Sequence, residues 1–324
     1  MDLKEFLDEW NDPGERLLVH TSGSTGQPKP LWVEKRRMEA SARITCQFLG
    51  LKAGDTALLC LPLDYIAGKM MVVRALTCGL RLISVAPGGH PLASLDDAIS
   101  FAAMIPMQVY NSLQVAEERE RLRQITHLII GGGAIDDALA AELRSFPNAV
   151  WSTYGMTETL SHIALRRLSG PEASEWYTPF DSVRVSLNEE SCLVIDAPLV
   201  CPETLTTNDL AEVCDGRFRI LGRRDNVVCS GGIKIQMEEV ERRLSPCLQE
   251  PFCITKVKDP KFGEAVVLLT ESDELKTIER LCRESLPRYW WPKHILHVSR
   301  IPMTATGKVA RKEAARLAAL AVEV

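Results

Sequence analysis

The stretch Thr21-Ser22-Gly23-Ser24-Thr25-Gly26-Gln27-Pro28-Lys29 decides how this chain is interpreted, because it has no simple structural explanation. It follows the apolar run Leu17-Leu18-Val19, which we expect to form a strand. Glycine lacks the Cβ atom that would keep a phosphate away from the backbone, and hydroxyl side chains add donors beside exposed N–H groups. Lys29 adds a positive charge. The stretch is therefore a candidate phosphate-binding loop.

The spacing of this loop excludes a phosphate loop of the Walker type. That motif has two glycines five positions apart, followed directly by a lysine and a hydroxyl residue. Here Gly23, Gly26 and Lys29 stand three apart, and Pro28 precedes the lysine. Taken alone, the stretch is equally typical of a Ser/Gly-rich surface loop, so the remaining motifs must decide between the two interpretations.

Other segments offer chemistry that a nucleotide needs. The segment Tyr154-Gly155-Met156-Thr157-Glu158 follows an expected strand and combines an aromatic face for a base, a hydroxyl for phosphate and a carboxylate for Mg²⁺. Thr207-Asn208-Asp209 places a carboxylate that can accept hydrogen bonds from ribose. Charges stand beside a Gly-rich turn where Gly222-Arg223-Arg224-Asp225 is followed by Ser230-Gly231-Gly232-Ile233-Lys234-Ile235. One lysine ends a turn of small residues at Pro302-Met303-Thr304-Ala305-Thr306-Gly307-Lys308.

In this order, the motifs resemble those of the acyl- and aryl-adenylate-forming superfamily, which includes acyl-CoA synthetases, luciferases and the adenylation domains of peptide synthetases. The family pattern is a TSGSTG-x-PK loop, a YG-x-TE segment, a TGD aspartate, a GR-x-D hinge and a terminal GK lysine. All five motifs occur here, although Asn208 stands where the family usually has glycine. The resemblance implies ATP and Mg²⁺ as reactants and coenzyme A as co-substrate of an acid–CoA ligase (AMP-forming).

The resemblance also implies which residues bind ATP. Tyr154 would stack on adenine, while Asp209 and Arg223 would bind the ribose. Thr157 would contact phosphate and Glu158 would hold Mg²⁺. The residues expected to surround the nucleotide are Thr21, Ser22, Gly23, Ser24, Thr25, Gly26, Lys29, Gly132, Gly133, Ala134, Tyr154, Gly155, Met156, Thr157, Asp209, Arg223 and Lys308.

The expected catalytic residues are Lys308, Glu158 and Thr157. Lys308 would stabilise the negative charge that develops as the substrate carboxylate attacks the α-phosphate, because transfers of this kind depend mainly on positioning and on cations. The turn Ser230-Gly231-Gly232 would line the path of the coenzyme A thiol, and Asp225 would be the hinge that moves the lysine away.

The acid substrate is inferred from a closer resemblance. The segment from Tyr65 to Arg74 and the Ser230-Gly231-Gly232 turn are most similar to the branch that joins coenzyme A to 2-succinylbenzoate in menaquinone biosynthesis. This acid has two carboxylates, so one must be held while the other reacts. Lys69 or Arg74 could hold it, because a charge-assisted bond to carboxylate is strong where water is excluded. Each is equally typical of a cation on a helix surface. The expected substrate contacts are Tyr65, Gly68, Lys69, Arg74 and Gly131.

Two alternatives stay open at this point. The chain could be a CoA ligase or carrier-loading enzyme for another aryl, fatty or amino acid. An amino-acid enzyme typically has a pocket aspartate for the ammonium group, and Asp64 is the only nearby candidate. The chain could instead be a catalytically inactive nucleotide-binding fragment, but a protein that only binds nucleotide has no need of Glu158 or Lys308.

The composition is that of an ordinary globular protein, with 324 residues, enough for two domains, of which 46% are hydrophobic and 25% charged. A formal net charge of −5 argues against a nucleic-acid-binding surface. The ten cysteines include no Cys-x-x-Cys pair, which argues against a structural metal site and favours reduced thiols in a cytoplasmic compartment. The first ten residues are acidic, unlike a signal peptide, and charges interrupt the most apolar region, residues 56–86, too often for a membrane span.

The order of expected elements predicts an α/β protein in two parts. Alternating strands and helices are expected over roughly the first 220 residues. Within them, from Val183 to Ile220, the pattern shifts to short β-rich runs, with hairpin turns expected at Asn188-Glu189-Glu190 and Asp215-Gly216. The resemblance implies residues 1–224 as a layered N-terminal ATP- and acyl-binding domain and residues 225–324 as a small α+β mobile lid. It also implies a reduced adenylate-forming fold, since relatives have a long α/β segment before the phosphate loop. The oligomeric state is open, and a dimer is one possibility.

The sequence also predicts the structure of three short segments. A charged helix is expected from Leu113 to Arg123, and Trp290-Trp291 is expected to pack within the lid. The basic run Lys35-Arg36-Arg37 opens an expected helix and is predicted to be a solvated face.

Overall fold

The computed structural model describes residues 1–20, 30–133, 135–304 and 308–322. The expected phosphate loop, residues 21–29, lies outside the described residues, as does Ala134. The roles expected of those residues therefore stay predictions.

The first half of the chain alternates strands and helices, as predicted. In chain order its elements are α1 (Leu3–Asn11), β1 (Arg16–His20), β2 (Pro30–Glu34), α2 (Lys35–Leu49), β3 (Thr56–Leu59), α3 (Ile66–Cys78), β4 (Arg81–Ser84), β5 (Phe101–Met104), α4 (Pro106–Leu113), α5 (Ala116–Gln124), β6 (His127–Ile130), α6 (Asp137–Leu143), β7 (Ala149–Gly155), β8 (His162–Arg167) and β9 (Thr178–Pro179).

A seven-stranded sheet with the order β4-β3-β5-β6-β7-β8-β9 organises this half. Strands β4 to β7 of this order are parallel, and β8 and β9 add antiparallel pairs at one end. All four residues of β3 and of β5 are buried, as expected where helices cover both faces of a parallel sheet. The carboxyl ends of the parallel strands therefore meet at one edge, the usual place for a ligand in such folds.

The β-rich stretch forms a separate four-stranded antiparallel sheet, in the order β10 (Arg184–Leu187), β11 (Cys192–Asp196), β12 (Leu205–Cys214) and β13 (Arg217–Arg223). The predicted turn between β12 and β13 is confirmed. Its central residues Asp215 and Gly216 have φ of 50° and 73°, the left-handed conformation that a two-residue hairpin turn requires.

The remainder of the chain builds a five-stranded sheet with helices on both faces. Its elements are β14 (Val227–Ser230), β15 (Ile233–Gln236), α7 (Met237–Leu244), β16 (Phe252–Asp259), β17 (Gly263–Thr270), α8 (Leu275–Ser285), β18 (His294–His297) and α9 (Arg311–Val322). One apolar cluster packs α7 and α8 against the sheet, with Trp290 and Trp291 at its margin, which confirms their expected packing. A second cluster packs α9 against the other face.

Two local predictions were wrong, and one strand was not predicted. The expected helix from Leu113 to Arg123 is two helices, because α4 ends at Leu113 and α5 begins only at Ala116. Strand β5, in the middle of the large sheet, was not predicted, since four apolar residues carry no period that separates strand from helix. Lys35 is not solvated: its Nζ donates to the carbonyl oxygens that end α1, at 2.8–3.1 Å.

All ten cysteines lie in the described part of the chain and are free thiols. Within the same residues, no helix is both long enough and apolar enough to cross a membrane.

Candidate active site

A cleft of about 2030 Å³ opens at the carboxyl edge of the large sheet. One wall consists of the ends of the parallel strands and the loops that follow them, including Ile105, Gly132 and Tyr154. The opposite wall comes from the last hundred residues, through α7, β16 and the start of α9. Parts of the chain distant in sequence thus face one another across a space large enough for a nucleotide and an acid.

Tyr154, Asp209 and Arg223 form one hydrogen-bonded group beside the cleft. The Tyr154 hydroxyl donates to Asp209 Oδ2 at 2.6 Å, and Arg223 Nη1 donates to Asp209 Oδ1 at 3.0 Å. Asp209 and Arg223 are register partners on β12 and β13, so the sheet itself holds them together. Burial and the neighbouring Asp209 carboxylate raise the pKa of Tyr154, so its hydroxyl stays protonated and remains a donor. The arrangement presents an aromatic ring and a carboxylate side by side, as an adenosine requires.

The turn after β7 supplies backbone close to the cleft. Gly155, Met156 and Thr157 all line it. A Cβ atom on Gly155 would lie 2.3 Å from the carbonyl oxygen of Ser161, so no larger residue fits without moving this turn. Gly132, on the neighbouring loop, lines the cleft with φ of 80°, a conformation that favours glycine.

Glu158 is exposed on a short 3₁₀ turn, next to Thr157 in the wall of the cleft. Among the described residues, no group of three or more acidic, histidine or cysteine side chains could hold a metal by itself. Mg²⁺ typically takes one or two carboxylates together with the phosphates of a nucleotide. An accessible single carboxylate at this position fits that mode of binding.

Lys308 and Arg223 line the same cleft, and the charges of Arg223 and Asp209 both act on Lys308. Burial and the Arg223 guanidinium lower the pKa of Lys308, while the Asp209 carboxylate partly offsets this effect. Two hydrogen bonds join Lys308 to Thr304: the Thr304 N–H donates to the Lys308 carbonyl oxygen at 2.7 Å, and the Lys308 N–H donates to Thr304 Oγ1 at 3.1 Å. A lysine far along the chain thus lines the same cleft as the ends of the parallel strands.

The start of α3 forms another part of the wall. Tyr65, Ile66 and Ala67 line the cleft, as expected for a substrate contact at Tyr65. Gly68 and Gly131 are not among the lining residues. A Cβ atom on Gly68 would lie 2.3 Å from the Pro62 carbonyl oxygen, and one on Gly131 would lie 2.3 Å from Thr153 Oγ1. Both glycines therefore allow close packing just behind the wall.

The two candidate cations of α3 are both buried, so neither is a helix-surface cation. Lys69 is directed towards α1, where its Nζ pairs with Glu9 at 3.6 Å and lies 5.4 Å from the Phe6 ring centre. Its charge is thus already compensated away from the cleft.

Arg74 is only 2% exposed and has no ion-pair partner in the described residues. Its Nη2 donates to Ser161 Oγ at 2.6 Å, its Nη1 contacts Met71 Sδ at 3.7 Å, and its Nε is buried without a partner among these residues. Burial lowers its pKa to about 10, so it is still a cation at neutral pH. Because Ser161 lines the cleft, an uncompensated positive charge lies one side chain behind the wall.

Asp225 also lines the cleft and receives two side-chain bonds, from Arg223 Nη2 at 2.9 Å and Asn208 Nδ2 at 3.4 Å. The Ser230-Gly231-Gly232 turn joins β14 to β15, with φ of 59° and 84° at its two glycines, and is not among the lining residues.

Several residues that line the cleft were not predicted from the sequence. Ser161 carries no motif that would have identified it. The cations of the opposite wall belong to helices and a strand whose place in the fold the sequence does not show. These cations are Arg242, Lys256, Arg311 and Lys312.

Comparisons with known proteins show the family and the fold of this chain. The family described as AMP-binding enzyme matches residues 7–196, more than half of the chain. A solved acyl-CoA synthetase (AMP-forming)/AMP-acid ligase II-like protein from Dyadobacter fermentans is 35% identical, with a TM-score of 0.66 over 95% of this chain and 91% of that one. The O-succinylbenzoate coenzyme A synthetase of Bacillus subtilis, solved with ATP and magnesium ion, is 22% identical, with a TM-score of 0.74 over 91% of this chain and 69% of that one.

Among curated proteins, the 2-succinylbenzoate–CoA ligase of Salmonella typhimurium is 29% identical over 265 residues, which cover 78% of this chain. The match spans 57% of that protein's length. The chain thus corresponds to little more than half of this relative, and the fold of the matched part is that of adenylate-forming enzymes.

Proposed function

Since this chain belongs to the AMP-binding enzyme family, we propose that it is an AMP-forming acid–CoA ligase. It would activate a carboxylic acid with ATP to an acyl-adenylate and pyrophosphate, then transfer the acyl group to coenzyme A and release AMP. The observation that carries this proposal is the position of Lys308, which lines the cleft together with Arg223 and is influenced by the charge of Asp209. A protein that only binds nucleotide has no need of such a cation.

The chemistry follows from what these residues can do. A carboxylate oxygen attacks the α-phosphorus, the bond to the pyrophosphate oxygen breaks, and negative charge accumulates on the phosphoryl oxygens. Lys308 supplies a positive charge at that point from inside a cleft, where charges interact more strongly than in water. Asp209 and Arg223 would hold the ribose, and Glu158 would hold Mg²⁺, which offsets phosphate charge when bound.

We propose 2-succinylbenzoate as the acid. The names of the curated relatives support it, and so does the buried Arg74, whose charge lacks a carboxylate among the described residues. A second substrate carboxylate near Ser161 would supply the missing counter-charge. Lys69 is the weaker candidate, because Glu9 already compensates it.

We also propose that residues 225–324 act as a lid that turns about Asp225. The buried residues of the large apolar cluster lie between Phe6 and Phe218. Those of the two clusters in the last hundred residues lie from Val228 onward, so the two parts of the chain have separate apolar cores. After adenylation, Lys308 would stand where the thiol must attack the carbonyl carbon. Rotation would withdraw it and bring the Ser230-Gly231-Gly232 turn towards the thiol. Ten free cysteines are consistent with work in the reducing cytoplasm.

The first test is pyrophosphate exchange into ATP across a panel of acids. We expect exchange to depend on 2-succinylbenzoate, and addition of coenzyme A to give the thioester and AMP. Exchange with another acid alone would refute the substrate but leave the chemistry standing. Nucleotide binding without exchange for any acid would refute the enzyme.

A second test uses pH. Adenylation needs protonated Lys308, and the pKa of this group lies below the ordinary value of 10.5 because of burial and Arg223. The profile of kcat/KM for ATP reports groups of the free enzyme. It should therefore fall with rising pH earlier than an ordinary lysine would allow, and Lys308→Arg, which keeps its charge, should lack this fall. An identical alkaline fall in Lys308→Arg would assign it to another group.

A further inference from the structure

Arg74 is the outer end of a row of hydrogen bonds that runs into the core. Arg74 Nη2 lies 2.6 Å from Ser161 Oγ, which lies 3.2 Å from His162 Nδ1. On the other side of the ring, His162 Nε2 lies 3.2 Å from Thr45 Oγ1, and that hydroxyl donates to the Ser41 carbonyl oxygen at 3.1 Å. The row joins α3, β8 and α2, and three of its side chains are fully or almost fully buried.

The contacts of this row favour one direction for its protons. Burial and the charge of Arg74 hold the pKa of His162 well below its ordinary value, so the ring is neutral and carries one N–H. Thr45 Oγ1 lies within donating distance of the Ser41 carbonyl oxygen, and a proton directed there leaves Thr45 Oγ1 to accept from His162 Nε2–H. His162 Nδ1 is then an acceptor, and the Ser161 hydroxyl donates to it.

The consequence lies at Ser161. Its single proton points inward, so the lone pairs of its oxygen are available to the guanidinium of Arg74. A guanidinium has only donors and needs such an acceptor. Among the described residues its other hydrogen-bond contact is the weak acceptor Met71 Sδ, and its Cζ lies 5.9 Å from the Phe101 ring centre. Ser161 is therefore the principal hydrogen-bond acceptor that holds Arg74 just behind the wall of the cleft.

We propose that Thr45 and His162 are positioning residues that set the acid specificity of this chain. Thr45 holds the His162 ring in the Nε2–H tautomer. In that tautomer His162 Nδ1 accepts the Ser161 proton, so Ser161 stays an acceptor for Arg74, whose guanidinium is then held in place for a second substrate carboxylate. This inference rests on the proposed function, since it assigns a purpose to a row of bonds behind the same acid pocket. Neither residue lines the cleft, so their effect would be transmitted through Ser161.

A purely structural role makes a different prediction. A row of bonds that only stabilises the fold would affect all substrates alike when broken. A row that positions Arg74 would affect only acids that carry the second carboxylate. The two roles are separable because Thr45→Val removes one hydroxyl at nearly constant volume, whereas Thr45→Ser keeps it.

The experiment compares KM and kcat for 2-succinylbenzoate and for 4-oxo-4-phenylbutanoate, which lacks the ring carboxylate. In Thr45→Val, His162 Nε2–H loses its acceptor, and the ring is driven to the Nδ1–H tautomer, which competes with Arg74 for Ser161. We expect KM for the dicarboxylate to rise about three- to tenfold, the effect of one hydrogen bond. KM for the monocarboxylate and for ATP should stay unchanged, and Thr45→Ser should restore the wild-type values.

A second measurement is independent of catalysis. ¹⁵N NMR of the imidazole should show neutral His162 with its proton on Nε2 in the wild type and in Thr45→Ser, and on Nδ1 in Thr45→Val. A wild-type proton on Nδ1, or an equal rise of KM for both acids in folded Thr45→Val, would overturn the inference. The proposed function would survive either result, because it fails only if the wild type activates no acid.

Discussion

Lys308→Ala should lose acyl-adenylate formation by at least about 100- to 1,000-fold, the loss typical of removing one group that stabilises developing charge. The same variant should convert supplied acyl-adenylate and coenzyme A to thioester at nearly the wild-type rate. The reason is positional. Lys308 lines the cleft with Arg223, where we propose that the α-phosphate reacts. The proposed rotation withdraws Lys308 before the thiol attacks the carbonyl carbon, so the second half-reaction does not need its charge. The measurement is single-turnover kinetics of each half-reaction.

The matched control is Lys312→Ala. Lys312 lines the same wall of the cleft and has no role in the proposed reaction, so its loss should leave adenylation within a few-fold of the wild type. If Lys308→Ala slows both half-reactions equally, the lysine is not specific to adenylation, and rotation of a lid about Asp225 is the wrong description of this chain.

Arg74→Met should weaken transition-state binding of 2-succinylbenzoate by about 2–5 kcal/mol, the range for breaking a desolvated charge pair. The effect should be much smaller with 4-oxo-4-phenylbutanoate, which offers no second carboxylate. Methionine keeps much of the side-chain volume and removes a buried charge that has no ion-pair partner in the described residues. Since such a charge is costly to bury, the free energy of unfolding should stay the same or increase.

Lys69→Met is the control for this prediction. Lys69 lies five residues earlier on the same helix and is equally buried, but its charge faces Glu9. Its loss should lower stability, because Glu9 is left without its partner, and should not change the preference for a dicarboxylate. Equal losses on both acids in Arg74→Met would show that Arg74 supports the fold or ATP binding instead. A change of acid preference in Lys69→Met would reverse the assignment of the two cations.

Local structure followed from the sequence wherever a short-range signal was strong. The apolar run His127–Ile130 is a strand with the predicted bounds, since a run next to glycine has clear limits. Helix α2 ends at Gly50, whose φ of 68° is costly for other residues. The order of motifs likewise predicted the family without the tertiary structure, because five spaced patterns seldom occur together by chance.

Only the tertiary structure distinguishes the surroundings of Lys69 from those of Arg74. In sequence the two are cations on one apolar helix, and their compensation depends on side chains far away, Glu9 in one case and Ser161 in the other. Such pairings need long loops to close, and no local propensity records them. Ser161 could not be found from its neighbours for the same reason. The amino-acid sequence by itself predicted the family and the AMP-forming chemistry that we propose. Packing between distant elements determined which buried cation, Arg74 or Lys69, lies behind the wall of the cleft.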